Sequence, residues 1–378
     1  MKTGLRKVGM REVNGSFVLQ KVKLPDEREI DVVIRNGIVA EIVPGGKAKG
    51  EGGFDGTGLY VSPGWIDLHV HAFPEFEPYG DEIDEIGVKQ GVTTIVDAGS
   101  CGADRIAELR KSAKGARTGV FAFLNVSHIG LARVDELSRL AWIDEEKAAA
   151  AVRENGDFIV GLKARMSGSV VKDNGIEPLR LARRISGRTG LPLMVHIGSA
   201  PPAIEDILAL LQERDIVTHY LNGKPNNLFR PDGTPVEGLA DAIRRGVHLD
   251  VGHGTASFSF RAAEQARRCS IGLGTISTDI YRGNRLEGPV YGMANVMSKF
   301  LSLGYSLREV VDAVTVRAAA WLNKPELGRI RVGDKANLTL FEVKKGKRVL
   351  VDSEGERRLA EAYVEAKGVV IGGSYYTC

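Results

Sequence analysis

Between residues 63 and 324, eight apolar runs of strand length alternate with amphipathic stretches of helix length. The runs are "GWIDLHV", "TTIVDAG", "VFAFLNV", "FIVGLKA", "PLMVHIG", "IVTHYL", "HLDVGHG" and "IGLGTIST". Helical patterns such as "ADRIAELRKS", "DEEKAAAAVREN", "AIEDILALLQER" and "FRAAEQARRC" lie between them, and "ANVMSKFLSLG" and "LREVVDAVTVRAAAWLN" follow the eighth. Runs that are apolar nearly throughout suit parallel strands covered on both faces. Eight such units close a cylinder, so the pattern predicts a (β/α)8 barrel. A doubly wound open sheet is the rival, but eight repeats over this length fit the barrel better, and no Gly-rich dinucleotide fingerprint follows the first run.

The flanks differ in style. Residues 1–62 and 325–378 read as short strands with Gly- and charge-rich turns, which predicts a small β-sandwich domain built from both termini around a barrel domain at 63–324. "EIDVVIRNGIVAEIVP" turns at Asn36-Gly37, a hairpin signal. "VKKGKR", Val343 to Arg348, reads as a solvated turn between strands.

The polar residues fall where strands should close. The first run ends in His69 and His71, which share a face because strand residues two apart point the same way. Lys163 closes the fourth run, His196 the fifth and His219 the sixth, and Asp279 follows the eighth. Barrel enzymes build their sites at the C-terminal strand ends. Imidazoles and carboxylates are ligands for zinc or a similar divalent ion. Lys163 is the odd member, since an ammonium repels cations. A desolvated lysine loses its proton more easily, and the neutral amine can capture carbon dioxide as an anionic carbamate with two oxygens.

This constellation resembles the amidohydrolase superfamily over essentially the whole chain. The resemblance implies two divalent ions, zinc first among the candidates. His69, His71 and Asp279 would hold the more buried ion, and His196 and His219 the more exposed one. N-carboxylated Lys163 and a hydroxide would bridge them. Asp279 would take the proton of the attacking hydroxide and deliver it to the leaving group. Cys101, in "DAGSCGAD", stands where some members place a metal-binding cysteine, but Lys163 already supplies a bridge.

Departures from known subgroups narrow the substrate. Dihydroorotases usually carry an arginine two residues beyond the His-x-His pair, where this chain has Phe73. Deaminases usually carry a glutamate soon after the fifth-strand histidine, and Glu205 is too distant. The stretches "GVTTIVDAGS", "FLNVS", "GLKARMS", "THYLNGK", "DVGHGTASFSF" and "TISTD" look like a dihydroorotase-like or deacetylase subgroup. That subgroup is associated with removing acetyl groups from α-acyloxy or N-acyl carboxylates, acetylated mandelate-type acids among them. Hydrolysis of an acyl ester or amide beside a carboxylate is therefore expected. A cyclic-amide hydrolase of the dihydroorotase or hydantoinase kind is the alternative. A non-catalytic scaffold is disfavoured because every ligand position is filled. Arg165, on the strand face of Lys163, and Arg282 are candidate grips for the carboxylate. His253, Tyr220, Asn222 and Tyr281 are further candidate pocket residues on the strand-end loops.

Charge bears on partners: 51 basic against 48 acidic residues, scattered, leave no nucleic-acid or membrane footprint. Three widely spaced cysteines without a CxxC fit a reducing compartment. The opening residues hold no apolar core of signal-peptide length, and no run approaches the ~18 apolar residues of a membrane span. A cytoplasmic enzyme of a small molecule is expected, with association into homo-oligomers open.

Overall fold

Alternation and turn chemistry shape the first part of the chain. In the computed structural model, which describes residues 16–48 and 53–378, the opening stretch read for a leader lies outside the described residues. Five strands come first: β1 (Ser16–Lys23), β2 (Glu29–Arg35), β3 (Ile38–Pro44), β4 (Gly53–Asp55) and β5 (Tyr60–Pro63). Asn36 and Gly37 join β2 to β3 with φ of 51° and 75°, the positive values a two-residue hairpin turn needs.

The barrel strands follow in order: β6 (Trp65–Val70), β7 (Val92–Ala98), β8 (Gly119–Asn125), β9 (Ile159–Met166), β10 (Leu193–Ile197), β11 (Ile216–Thr218) and β12 (His248–Asp250). Each pairs in parallel with the next. Helices such as Glu145–Glu154 and Glu177–Thr189 lie between them, Phe260–Arg268 follows β12, and each buries one face.

The eighth run departs from a regular strand. It meets β12 through a bridge between Asp250 and Thr275, and the chain just beyond it meets β6 between Val70 and Ile280. Side chains hold much of the rest. Thr275 and Ser277 donate to the Asp250 carboxylate, and the Thr278 backbone N–H donates to Asp67 at 3.0 Å. Asp279 N donates to His69 O at 2.7 Å, which brings that side chain against the first strand.

The chain returns to the terminal sheet through β13 (Asn337–Val351), β14 (Arg357–Ile371) and β15 (Ser374–Thr377). The sheet runs β15-β14-β13-β5-β1-β2-β3, with β4 on β1. "VKKGKR" is not a turn. It lies inside β13, whose pairing with β14 shifts register between Lys345 and Arg348, so the exposed basic residues ride on a bulge. Among the described residues, no helix is long and apolar enough to cross a membrane.

Aromatic rings join the sheet to the barrel. Phe341 of β13 is fully buried, with its centroid 5.4 Å from Tyr60 and 5.5 Å from Trp65. Phe341→Ala is expected to cost about 3–5 kcal/mol, read as a lower denaturant midpoint. A change below about 1 kcal/mol would show that this junction carries little stability.

Candidate metal centre

Strand geometry delivers the ligands. His69 and His71 leave the end of β6 on one face, and both are buried. The chain after the eighth run carries Asp279 to them, with Oδ1 at 3.4 Å from His69 Nε2 and 3.2 Å from His71 Nε2. Ligand atoms of the three residues lie within 4.8 Å of one another. Asp279 sits at φ 51°, and the loop opposite leaves it room. A Cβ on Gly254, itself at φ 54°, would stand 2.4 Å from Asp279 Oδ2.

Hydrogen bonds fix which ring nitrogens are free. Ser100 Oγ donates to Asp97 at 2.7 Å, so at His71 Nδ1, 2.9 Å away, it acts as acceptor. Thr218 Oγ1 donates to Asp250 at 2.8 Å and likewise accepts from His69 Nδ1 at 2.9 Å. His219 Nδ1 donates to the Gly252 carbonyl at 2.6 Å. In all three rings the proton is thus on Nδ1 and the lone pair on Nε2. His69 and His71 aim those lone pairs at a carboxylate oxygen, and His219 Nε2 is buried with no partner among the described residues. Apart from the Lys163 amine beside His69 Nε2, these acceptors converge with no donor among the described residues and repel unless a cation lies among them, so the residues present fit a divalent ion.

Electrostatics agree. Burial lowers His69 to about 4 and holds His196 and His219 well below the ordinary imidazole range, so these rings are neutral donors.

His196 and His219 extend the cluster. Their ring centroids are 4.4 Å apart, and His219 is 4.9 Å from His69. Lys163 of β9 is buried, with Nζ 3.0 Å from His69 Nε2 and 3.5 Å from Met194 Sδ. Burial brings its amine down to about 7, so the neutral form is accessible. The fold thus gathers all six sequence-predicted ligands. Cys101 is fully buried in the hydrophobic core, and burial pushes its thiol up.

The candidate substrate contacts divide. Tyr281 donates to or accepts from Thr255 at 2.7 Å and stands edge-on to Tyr79, whose ring is 5.6 Å from His71. Arg165 lies 3.3 Å from the fully buried Glu136 and donates to Val134 O at 3.2 Å. Arg282 faces outward, 3.7 Å from Asp81 and 4.0 Å from Glu82. Tyr220 is a core residue, and Asn222 is buried and donates to His219 O at 2.8 Å. His253 does not offer the pocket a nitrogen. Its Nδ1 donates to Gly254 O, its Nε2 accepts from the buried Lys299 at 2.7 Å, and its ring stacks on Phe258. A buried lysine within the helix Met293–Ser302 is the partner that the strand pattern around His253 could not reveal.

The orienting residues Asp67, Asp97, Ser100, Thr218 and Asp250 went unread in the sequence. Their one signal is an acid inside an apolar strand run, as in "WIDLHV" and "HLDVGHG". Burial moves Asp67 up to about 7. Ser100→Ala removes the acceptor that fixes the His71 tautomer. It should weaken metal retention about 10–100-fold, measured by titration with a chelator. Unchanged affinity would mean that Ser100 does not orient the ring.

The Amidohydrolase family matches residues 60–373. An Enterococcus faecalis protein described as a deacetylase is 43% identical over 321 residues, covering 84% of this chain and 87% of its own length. A crystal structure described as an adenine deaminase superposes with a TM-score of 0.91 at 39% identity, covering 96% of this chain and 100% of that one. One described as a dihydroorotase gives 0.88 at 32%, covering 96% and 99%.

Proposed function

The chain belongs to the amidohydrolase family, and on that footing we propose that it is a metal-dependent deacetylase acting on an acetyl ester or amide of an α-substituted carboxylate. The observation that carries the hydrolytic reading is the convergence of the His69 and His71 lone pairs on the Asp279 carboxylate. The choice of acetyl group rests on the similarity to the Enterococcus faecalis protein and on the subgroup stretches of the sequence.

His69, His71 and Asp279 would hold one divalent ion and His196 and His219 a second, zinc being the first candidate. When bound, such ions supply a water of lowered pKa and polarise the acyl oxygen. Asp279 accepts a proton at its carboxylate as the acyl carbon is attacked, and returns it to the departing oxygen or nitrogen. Its backbone bond to His69 O and the bond from Asn284 Nδ2 to its own carbonyl at 2.9 Å hold it in place for both transfers. Lys163 is proposed to act as a carbamate. Its neutral nitrogen bonds to the carbon of carbon dioxide, the electron pair moves to oxygen, and the amine proton leaves to solvent. The product is an anion where a free ammonium would oppose cations.

Two features separate this reading from the functions described for the solved relatives. Phe73 is buried against Phe76 and beneath Arg105, so that position contributes packing and not a substrate cation. Glu205 is exposed at the start of the helix Ile204–Leu210. A small-molecule substrate and a cytoplasmic setting complete the proposal.

The test is acetate release by the zinc-loaded protein from a panel of O-acetyl and N-acetyl α-substituted acids, run beside dihydroorotate, a hydantoin and adenine. Acetate from the acyclic acids alone is expected. Turnover of a cyclic amide with none of the acetyl acids would move the assignment to a cyclic-amide hydrolase.

A further inference from the structure

Three arginines near the C-terminal strand ends are each paired with an acid. Arg165 has Glu136, Arg282 has Asp81 and Glu82, and Arg285 has Asp81. Lys224 differs. Its backbone N–H donates to Asn222 Oδ1 at 3.0 Å, while among the described residues its ammonium makes no ion pair and no hydrogen bond. The turn that carries it is fixed on both sides. Asn222, buried, donates to His219 O at 2.8 Å and its own carbonyl accepts from Asn227 at 3.0 Å. Asn226 donates to Gly198 O at 3.2 Å and Pro202 O at 3.1 Å, which ties the turn to the loop following His196. Lys224 is half-buried. Burial lowers its amine. The turn therefore holds Lys224 against the loops that follow His196 and His219, half-buried and without an acid among the described residues.

We propose that Lys224 receives the anionic group of the substrate, a carboxylate held beside the acyl group on the His196–His219 side of the centre. The inference rests on the reading of the site as an acyl-carboxylate hydrolase. It also assigns Arg165 a lesser part, because Glu136 already balances its charge. A half-buried cation on a rigid turn is arranged in advance for an anion, and a charge-assisted hydrogen bond forms there without reordering the loop.

The experiment uses the metal-loaded full chain and the Lys224→Met and Lys224→Arg variants. Each is assayed on an O-acetyl α-hydroxy acid and on the neutral primary amide of that acid. Lys224→Met is expected to raise KM for the acid about 30-fold. It should lower the acid-to-amide ratio of kcat/KM at least about tenfold, and Lys224→Arg should restore most of that ratio. Equal losses on acid and amide would overturn the assignment. Calorimetric binding of the free α-hydroxy acid to both proteins separates this from the parent reading. If the unaltered protein binds the acid, loses it in Lys224→Met, and yet releases no acetate, the deacetylase reading fails and the Lys224 assignment stands. No binding by the unaltered protein, or equal binding by both, overturns the Lys224 assignment whatever the acetate assay shows.

Discussion

Asp279→Asn should lower kcat by about 10³-fold while the protein stays folded and keeps its metal. Asparagine retains an oxygen that can face His69 and His71, but it cannot accept and return a proton. The backbone tolerates the change, because residue 279 sits at φ 51° and asparagine is among the few side chains that enter this region readily. The backbone bonds to His69 O and from Asn284 do not involve the carboxylate, so position is preserved. Steady-state kinetics at saturating substrate, with metal content measured on the same sample, checks the prediction. A kcat within tenfold of the unaltered protein would remove Asp279 from the proton transfer.

The second large effect is expected at Lys163. Lys163→Met keeps the buried aliphatic stem, which packs against Gly99, and removes the amine beside His69 and Met194. Removing a desolvated amine from the interior should leave the fold intact. Metal content should fall from two ions per chain to one or fewer, with a loss in kcat of about 10³-fold. Two ions retained with near-normal turnover would show that Lys163 bridges nothing.

Much of this architecture was legible because each feature had a one-dimensional signature. The repeated apolar runs follow from strands covered on both faces, and His69 with His71 follows from the two-residue period of β6. The eighth strand was less legible. Thr275, Ser277 and Thr278 look like ordinary strand residues, yet Asp250 and Asp67 take up their side chains, so the segment joins its neighbours mainly through isolated bridges and side-chain bonds. The relays Asp97–Ser100–His71 and Asp250–Thr218–His69 join residues that are far apart or on different strands, and no spacing rule connects them. His253 read as a pocket residue from its place at a strand end, but Lys299 arrives from a helix whose amphipathic pattern gives no hint of a buried cation.

The central claim is a paired cation site at one mouth of the barrel. Anomalous diffraction from crystals of the zinc-loaded protein, recorded on both sides of the zinc absorption edge, tests it directly. Two peaks are predicted, one among His69, His71 and Asp279 and the other beside His196 and His219, with density for a carboxylated Lys163 between them. Absence of both peaks, with the Lys163 amine unmodified and bonded to His69, would contradict the account.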